Sequence, residues 1–493
     1  MNEKEVLYMR LGNLIKELDF IELVNVEDFD EEIDGISYNS KKTNPKDIFI
    51  CLTGEHVDGH EYAEEALTNG ALVCVVERRL SIDAPQIVVH STSETIAKIS
   101  SIFYAEPSSK LNIIGVTGTN GKTTVTHLIQ KLYEEFNQKC ALIGTLGHKF
   151  SSEEPYLDAK HTTPQAPELQ SLLYDINEKC IDNVVMEVSS HSLVQHRVDY
   201  VDYNGAVLTN LTQDHLDFHI TMANYFKAKA TLFADLVTGD FAVINADDEY
   251  AEKFLEFISP TVSKYTYGVA QNADVMAKDI SFSGEGASFT CVVQGKEYKT
   301  SLMMNGMFSV YNVLAAITVA LAVGFDIEKS IRVLETIQGV AGRFEIVTTK
   351  PTVIVDYAHT PDGLENVLKA AREITPEGGE LICIFGCGGD RDATKRPKMG
   401  KIAEELADKV IVTSDNPRSE NPQQIITDIL AGFKSTSDVI VEPDRELAIK
   451  EAYKLAKTND VVLLAGKGHE DYQILADETI HFDDREKVRQ IFG

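Results

Sequence analysis

The chain has 493 residues, about three domains' worth, with 43% hydrophobic and 25% charged residues, the profile of an ordinary globular protein. Its net charge of −31 repels a phosphate backbone and argues against general nucleic-acid or anionic-membrane binding. No apolar run approaches the roughly 20 residues of a membrane span, the N-terminus lacks signal-peptide character, and seven scattered cysteines suit reduced thiols in a cytoplasm. Cys383 and Cys387, closing an apolar run, are expected to fill core rather than bind metal.

From about residue 111 onward, strand-length apolar runs alternate with helix-length amphipathic segments, the pattern of parallel α/β architecture. Strands are predicted at 111–116, 141–144, 184–188, 205–209 and 241–245, with a helix over 123–136. Four more follow at 353–355, 381–385, 409–413 and 461–465. The polar Pro/Ser segment 105–110 and the stretch 339–343 mark breaks, giving three expected domains over 1–108, 109–344 and 345–493.

Between strand 111–116 and helix 123–136 lies Gly118-Thr119-Asn120-Gly121-Lys122-Thr123-Thr124. Glycines allow successive backbone N–H groups to face a phosphate. The helix N-terminus adds positive potential, Lys122 can reach terminal phosphates, and Thr123 can ligate Mg²⁺. The strict phosphate-loop consensus fails at one place, because Val116 occupies its first glycine position. Two further strand ends offer Glu187 and His215, a carboxylate and an imidazole suited to completing a Mg²⁺ shell, although imidazole is an unusual Mg²⁺ ligand.

Ten segments occur in order: GTNGKTT (118–124), HTTP (161–164), MEVSSHSLVQHRV (186–198), NLTQDHLDFH (210–219), YFKAKATLF (225–233), GRFE (342–345), DYAHTPD (356–362), GCGGDRDATKRP (386–397), SDNPR (414–418) and AGKGHE (465–470). Together they resemble the Mur ligases of peptidoglycan synthesis, in particular the members that add the third amino acid. The resemblance covers nearly the whole chain. It implies an N-terminal uridine-nucleotide-binding α/β domain, a central P-loop ATPase domain with a mostly parallel sheet, and a C-terminal Rossmann-like α/β domain that binds the amino acid.

The implied reaction is ADP-forming ligation. ATP phosphorylates the D-glutamyl γ-carboxylate of UDP-N-acetylmuramoyl-L-alanyl-D-glutamate, and meso-diaminopimelate attacks the acyl phosphate. Catalytic roles then fall to Lys122, Lys229, Glu187 and His215. Lys229 is expected as a carbamate (N6-carboxylysine) sharing one of two Mg²⁺ ions with Thr123, Glu187 and His215, while Lys227 lies on another helix face. Asn312, Arg343, Asp356 and His359 join the phosphate loop as nucleotide contacts. The UDP-linked dipeptide is assigned to Tyr38, Ser40, Glu55, His56, Val57, Thr162, Thr163, Ser189, Gln195 and Arg197. Asn39, Lys41 and Ser309 depart from the family pattern.

Diaminopimelate is assigned to Arg391, Asp415, Asn416, Pro417, Arg418, Gly466 and Glu470. Arg418 can clasp the distal carboxylate that lysine lacks, and Asp415 and Glu470 suit the ammonium groups. Meso-lanthionine satisfies the same clasp and stays open as a third residue, as does L-lysine. A folylpolyglutamate synthase-like ligase is the nearest rival, disfavoured by the 108 residues before the loop. A non-ligating ATPase needs no amine pocket, and an oxidoreductase lacks its G-x-G-x-x-G. A cytoplasmic monomer is expected.

Overall fold

The computed structural model describes residues 9–54, 57–283 and 286–493. They fall into two compact units, one formed by residues up to 115 with 137–206, the other by 116–136 with 207–493. Glu55 and His56 lie outside the described residues.

The first unit contains a five-stranded sheet ordered Glu22–Val24, Gln86–Val88, Val73–Val76, Asp47–Ile50, Gly35–Ser37, parallel except at the Glu22–Val24 edge. Alternation along its central strands sends side chains to opposite faces. Ile48, Ile50, Val73 and Val75 meet Leu14, Ile96 and Ile99 of helices Leu11–Glu17 and Thr92–Phe103. Phe49, Cys51, Cys74 and Val76 meet Ala63 and Ala66 of helix Ala63–Thr68. Elsewhere in this unit, strands Cys140–Gly144 and Asn183–Glu187 pair in parallel, and helix Ala166–Glu178 runs between them in sequence. The segment 105–110, linker-like in composition, is packed instead. Pro107–Lys110 is a 3-10 helix with Pro107 and Ser108 buried, because the Ser108 hydroxyl finds acceptors in Tyr200 O and Asp202, each at 3.4 Å.

The second unit holds helix Lys122–Glu135 against helix Met307–Ala322, which is apolar almost all round and buried along 11 of its residues. Strands Phe241–Asn245 and Ser263–Gly268 are parallel, and Val275–Ser283, Gly286–Val293 and Lys296–Ser301 form an antiparallel meander. Sequence reading predicts no strand in the meander, although Ala287, Phe289, Cys291 and Val293 alternate as buried apolar positions; its edge strand Lys296–Ser301 has a single buried position.

The six-stranded sheet of this unit is ordered Glu345–Thr349, Thr352–Asp356, Val461–Ala465, Leu381–Phe385, Lys409–Val412, Val439–Val441. All pairs but the first are parallel. Helix residues Leu364, Val367, Met399 and Ile426 cover one face, and Ala448, Ile449, Ala452 and Val488 the other. The last strand of this sheet in sequence, Val461–Ala465, inserts between the second and third, making a topological switch point. Register levels the carboxyl ends: Ala465 lies opposite both Asp356 and Phe385, and Phe385 opposite Val412. The four loops that follow carry DYAHTPD, GCGGDRD, SDNPR and AGKGHE, so one sheet edge gathers them, as expected of open parallel sheets. Cys383 and Cys387 are buried in the core beneath.

Candidate active site

The phosphate loop is locked by its glycines. Gly118 has φ +148° and Gly121 φ +87°; a Cβ at Gly118 would lie 1.8 Å from Thr209 Oγ1, and one at Gly121 2.5 Å from Asn312 Oδ1. Asn210 pins the loop from the neighbouring strand end. Its carbonyl accepts from Thr119 N at 2.8 Å and its Oδ1 from Asn120 N at 2.9 Å, while Thr209 Oγ1 donates to Asn120 O at 2.6 Å. Gly121 as N-cap offers no side chain to helix Lys122–Glu135, whose first turn includes Thr123 and Thr124. A helix start of this kind receives anions.

Two lysines converge on this loop. Lys122 Nζ donates to the carbonyls of Gly118 and Thr119, each at 2.8 Å, and Lys229 Nζ donates to the same Gly118 oxygen at 2.8 Å. Lys229 arises from helix Met222–Ala234, whose buried face also includes Tyr225, Ala228 and Phe233; Lys227 is exposed. Lys229 is 1% exposed, and burial together with the Lys122 ammonium pushes its pKa well below the lysine range, partly opposed by Asp214. An amine so placed holds its proton less tightly than a solvated lysine does.

His215 stands in the left-handed region at φ +52°, with Nε2 3.2 Å from Asp214 Oδ2. Asp214 is buried and was not among the expected site residues. Burial alone would raise its pKa, but His215, His359 and Lys395 together with the His215 amide outweigh burial and bring it to about 2. An adjacent pair of polar residues in a loop gave no sequence signal for this, since Lys395 and His359 come from far along the chain.

Asn312, Arg343 and Asp356 line a cleft of about 290 Å³ with Asn120, Gly121 and Thr124 of the loop. Arg343 lies over the Tyr357 ring at 4.5 Å and donates through Nη2 to Thr123 Oγ1 at 3.0 Å. Asp356 accepts from the amides of Phe344 and Ala358, both at 2.7 Å, and burial raises its pKa despite Arg343. His359 Nδ1 sits 2.9 Å from Tyr357 O, so Nδ1 carries the proton; burial lowers its pKa. Asp362, a second unexpected member, accepts from Asn120 Nδ2 at 2.9 Å. Ser309 is explained by its helix: buried, it donates to Asn305 O at 2.7 Å.

At the C-terminal sheet edge, Gly388 and Gly389 admit the SDNPR loop. A Cβ at Gly389 would lie 1.9 Å from Pro417 O, and one at Gly388 2.9 Å from Arg418 Nη1 and 3.7 Å from Arg391 Cγ. Arg418 donates through Nη1 to Gly389 O at 2.9 Å, and Glu420 pairs instead with Arg396, so no Arg418–Glu420 surface pair forms. Asn416 Nδ2 donates to Glu470 Oε2 at 2.8 Å. A Cβ at Gly466 would meet Asp415 Oδ2 at 2.4 Å. Asp415, Asn416, Pro417, Arg418, Gly466 and Glu470 are thus assembled, with Arg391 at the exposed rim.

In the first unit, Thr145 donates from N and Oγ1 to the two oxygens of buried Glu187 at 2.9 and 3.0 Å, and its hydroxyl lies 3.0 Å from Thr162 Oγ1. Thr163 donates to Glu187 O at 2.8 Å, and Ser189 caps helix Ser190–Val194. Arg197 reaches Thr163 O at 3.2 Å and Gln195 Oε1, while its buried Nε has no partner. Tyr38 donates to Glu168 at 2.6 Å and Ser40 to Glu65 at 2.6 Å. Asn39 accepts from Lys41 N, capping the 3-10 helix Ser40–Lys42, which gives that departure a structural role. Val57 is exposed.

Three family models match the chain: the Mur ligase middle domain over residues 116–320, the Mur ligase glutamate ligase domain over 342–468, and the Mur ligase family catalytic domain over 32–104. Relatives named UDP-N-acetylmuramoyl-L-alanyl-D-glutamate–2,6-diaminopimelate ligase are similar throughout. That of Clostridium botulinum is 43% identical over 98% of this chain and 99% of its own. That of Synechococcus elongatus is 45% identical over 93% and 94%. A solved structure of a ligase of the same name, 34% identical, superposes with TM-score 0.69 over 98% of both chains. The Thermotoga maritima MurF ligase, solved with ADP, shares the fold at TM-score 0.64 and 19% identity, over 93% of this chain and 96% of its own. With an α/β fold shared with Mur ligases and relatives matching nearly end to end, the chain belongs to the Mur ligase family.

Proposed function

We propose that this chain is an ATP-dependent amide ligase that adds meso-2,6-diaminopimelate to UDP-N-acetylmuramoyl-L-alanyl-D-glutamate, forming ADP and phosphate in the cytoplasm as a monomer. The observation that carries the reading is the coexistence, within one unit, of a phosphate loop touched by buried Lys229 and a sheet edge that gathers Asp415, Asn416, Arg418 and Glu470. A plain ATPase needs neither. The relatives' printed name agrees with it. We assign the three domains to 1–108, 109–344 and 345–493, binding the UDP-sugar, ATP and amino acid in turn.

Lys122 and the loop amides neutralise the phosphates of ATP while the D-glutamyl carboxylate oxygen attacks the γ-phosphorus, forming the acyl phosphate and releasing ADP. The amine of diaminopimelate then attacks the acyl carbon, and phosphate leaves as the amide forms. Asn312, Arg343, Asp356 and His359 hold the nucleotide. Tyr38, Ser40, Thr162, Thr163, Ser189, Gln195 and Arg197 hold the UDP-linked dipeptide; the orphaned Arg197 Nε supports an anionic ligand there. Glu55 and His56 complete this assignment on sequence alone.

Among the described residues no cluster of three His, Cys, Asp or Glu side chains is placed to hold a metal. The donor chemistry nevertheless fits Mg²⁺ carried in on phosphate, which keeps water and phosphate oxygens as ligands. Thr123, His215 and a carbamate on Lys229 would hold it; Glu187 is assigned as a further ligand on sequence alone. Buried and depressed in pKa, Lys229 gives up its proton more readily than a solvated lysine, and the free amine is the form that reacts with carbon dioxide. When bound, Mg²⁺ supplies charge neutralisation for phosphoryl transfer.

The test incubates purified protein with ATP, Mg²⁺ and the UDP-linked dipeptide, supplying diaminopimelate, lanthionine, lysine or no amine. Phosphate release with diaminopimelate is expected; release without any amine, or only with a folate and glutamate, refutes the reading. The Lys229 peptide, prepared gently in bicarbonate, should carry the mass of one added carbon dioxide. An unmodified peptide under those conditions counts against the carbamate.

A further inference from the structure

Lys467 of the AGKGHE segment has no role in the reading above, yet its side chain is completely buried beside Glu470, a residue that reading assigns to the amine. Gly466 at φ +119° and Gly468 at φ +53° flank it, and neither position has room for a Cβ, with Asp415 Oδ2 at 2.4 Å and Tyr357 Cβ at 2.6 Å. The two glycines turn the lysine inward. Its ammonium donates to Asn416 Oδ1 at 3.2 Å and to Glu470 Oε2 at 3.1 Å. Lysine has no acceptor, so the Asn416 atom facing it is the carbonyl oxygen, which also accepts from Ile474 N at 3.0 Å. The Asn416 amide nitrogen must then point to Glu470 Oε2, where it donates at 2.8 Å. Two donors on one oxygen fix the rotamer of Glu470.

We propose that Lys467 is a positioning residue of the amine pocket, holding the Glu470 carboxylate and the Asn416 carboxamide in the orientation that receives the incoming amino acid. The inference rests on the ligase reading given above. Charge supports it. Asp415 and Glu470 bring two carboxylates into one buried site, and Lys467 offsets the charge of one of them. Without Lys467, two neighbouring carboxylates would repel each other in a buried site. Burial and Asp415 already raise the Glu470 pKa, opposed by Lys467 and Asn416. The other titratable or charged groups facing Glu470 are Tyr357, Tyr472 and Arg445, His469 faces Lys467, and Arg391 and Arg418 belong to the same site.

The full-length enzyme would be assayed with ATP, Mg²⁺, the UDP-linked dipeptide and the amine that wild type uses. Lys467→Met should raise KM for that amine about 30-fold, with KM for ATP changed less than about 3-fold. The acid limb of kcat/KM for the amine should move to higher pH, because Glu470 loses the cation that opposes its protonation. Lys467→Arg should restore part of the loss by returning the charge. Should the Met variant not fold, Lys467→Gln carries the same expectation of an amine-specific KM rise and a displaced acid limb. An unchanged amine KM, an equal rise in both KM values, or an unmoved acid limb in a folded variant overturns the inference while leaving the ligase reading intact. A wild type without amine-dependent phosphate release overturns both.

Discussion

Replacing Arg418 by alanine separates substrate clasping from structural support. In the structure the residue sits at φ +51°, its amide donates to Ile474 O at 3.1 Å, and its guanidinium reaches Gly389 O at 2.9 Å. Alanine keeps the backbone bond and meets the same left-handed penalty, so only the guanidinium contact is lost. For a half-buried group that is about 1 kcal/mol of stability, or about 2 °C or less in a protein this large. Losing two charge-assisted bonds to a substrate carboxylate costs about 3 kcal/mol, roughly 150-fold in kcat/KM for diaminopimelate. Lysine, with no distal carboxylate, should be used no worse than by wild type, so discrimination between the two collapses. Steady-state kinetics with both amines and with varied ATP measure this directly. An equal loss toward ATP and diaminopimelate, or a melting point several degrees lower, would show that Arg418 holds the loop together and refute the clasp.

Ile220 is 75% exposed with φ +68° and ψ −45°, and Thr221 N donates across it to His219 O at 2.7 Å, a γ-turn of the rarer, strained hand. Ile220→Gly should therefore stabilise the protein by about 1 kcal/mol after allowing for glycine's unfolded-state entropy; urea denaturation showing a loss instead would mean the turn is unstrained. Asp214, with its pKa depressed to about 2, contributes stability that is complete above its unfolded value near 4 and lost as pH falls toward 2. Asp214→Asn should thus cost on the order of 2 kcal/mol at pH 7, with the gap to wild type closing below pH 4. A gap independent of pH would assign the loss to packing.

The ordered motifs alone were enough to mark the family, and the apolar runs marked nine strands within one or two residues, as with the predicted helix 123–136 against the observed Lys122–Glu135, while the parallel strands Ser263–Gly268 and Val439–Val441 went unmarked. Buried parallel strands are legible because both faces demand apolar side chains. The N-terminal sheet, with strands of three or four residues, carries too little periodicity to declare itself, whereas the meander 275–301 goes unpredicted despite the alternation of Ala287, Phe289, Cys291 and Val293. Segment 105–110 shows the opposite failure: linker composition, packed fate.

Sequence determined which residue types stand at each strand end. Tertiary structure decided which of them meet. Lys229 and Lys122, 107 positions apart, share one carbonyl oxygen of Gly118 because a helix face and a glycine loop converge there. Lys467 reaches Asn416 because the last strand inserts between earlier ones and register levels their ends. Burial, which shifts the pKa values of Lys229 and Glu470, is a property of those encounters and has no local signature in the chain.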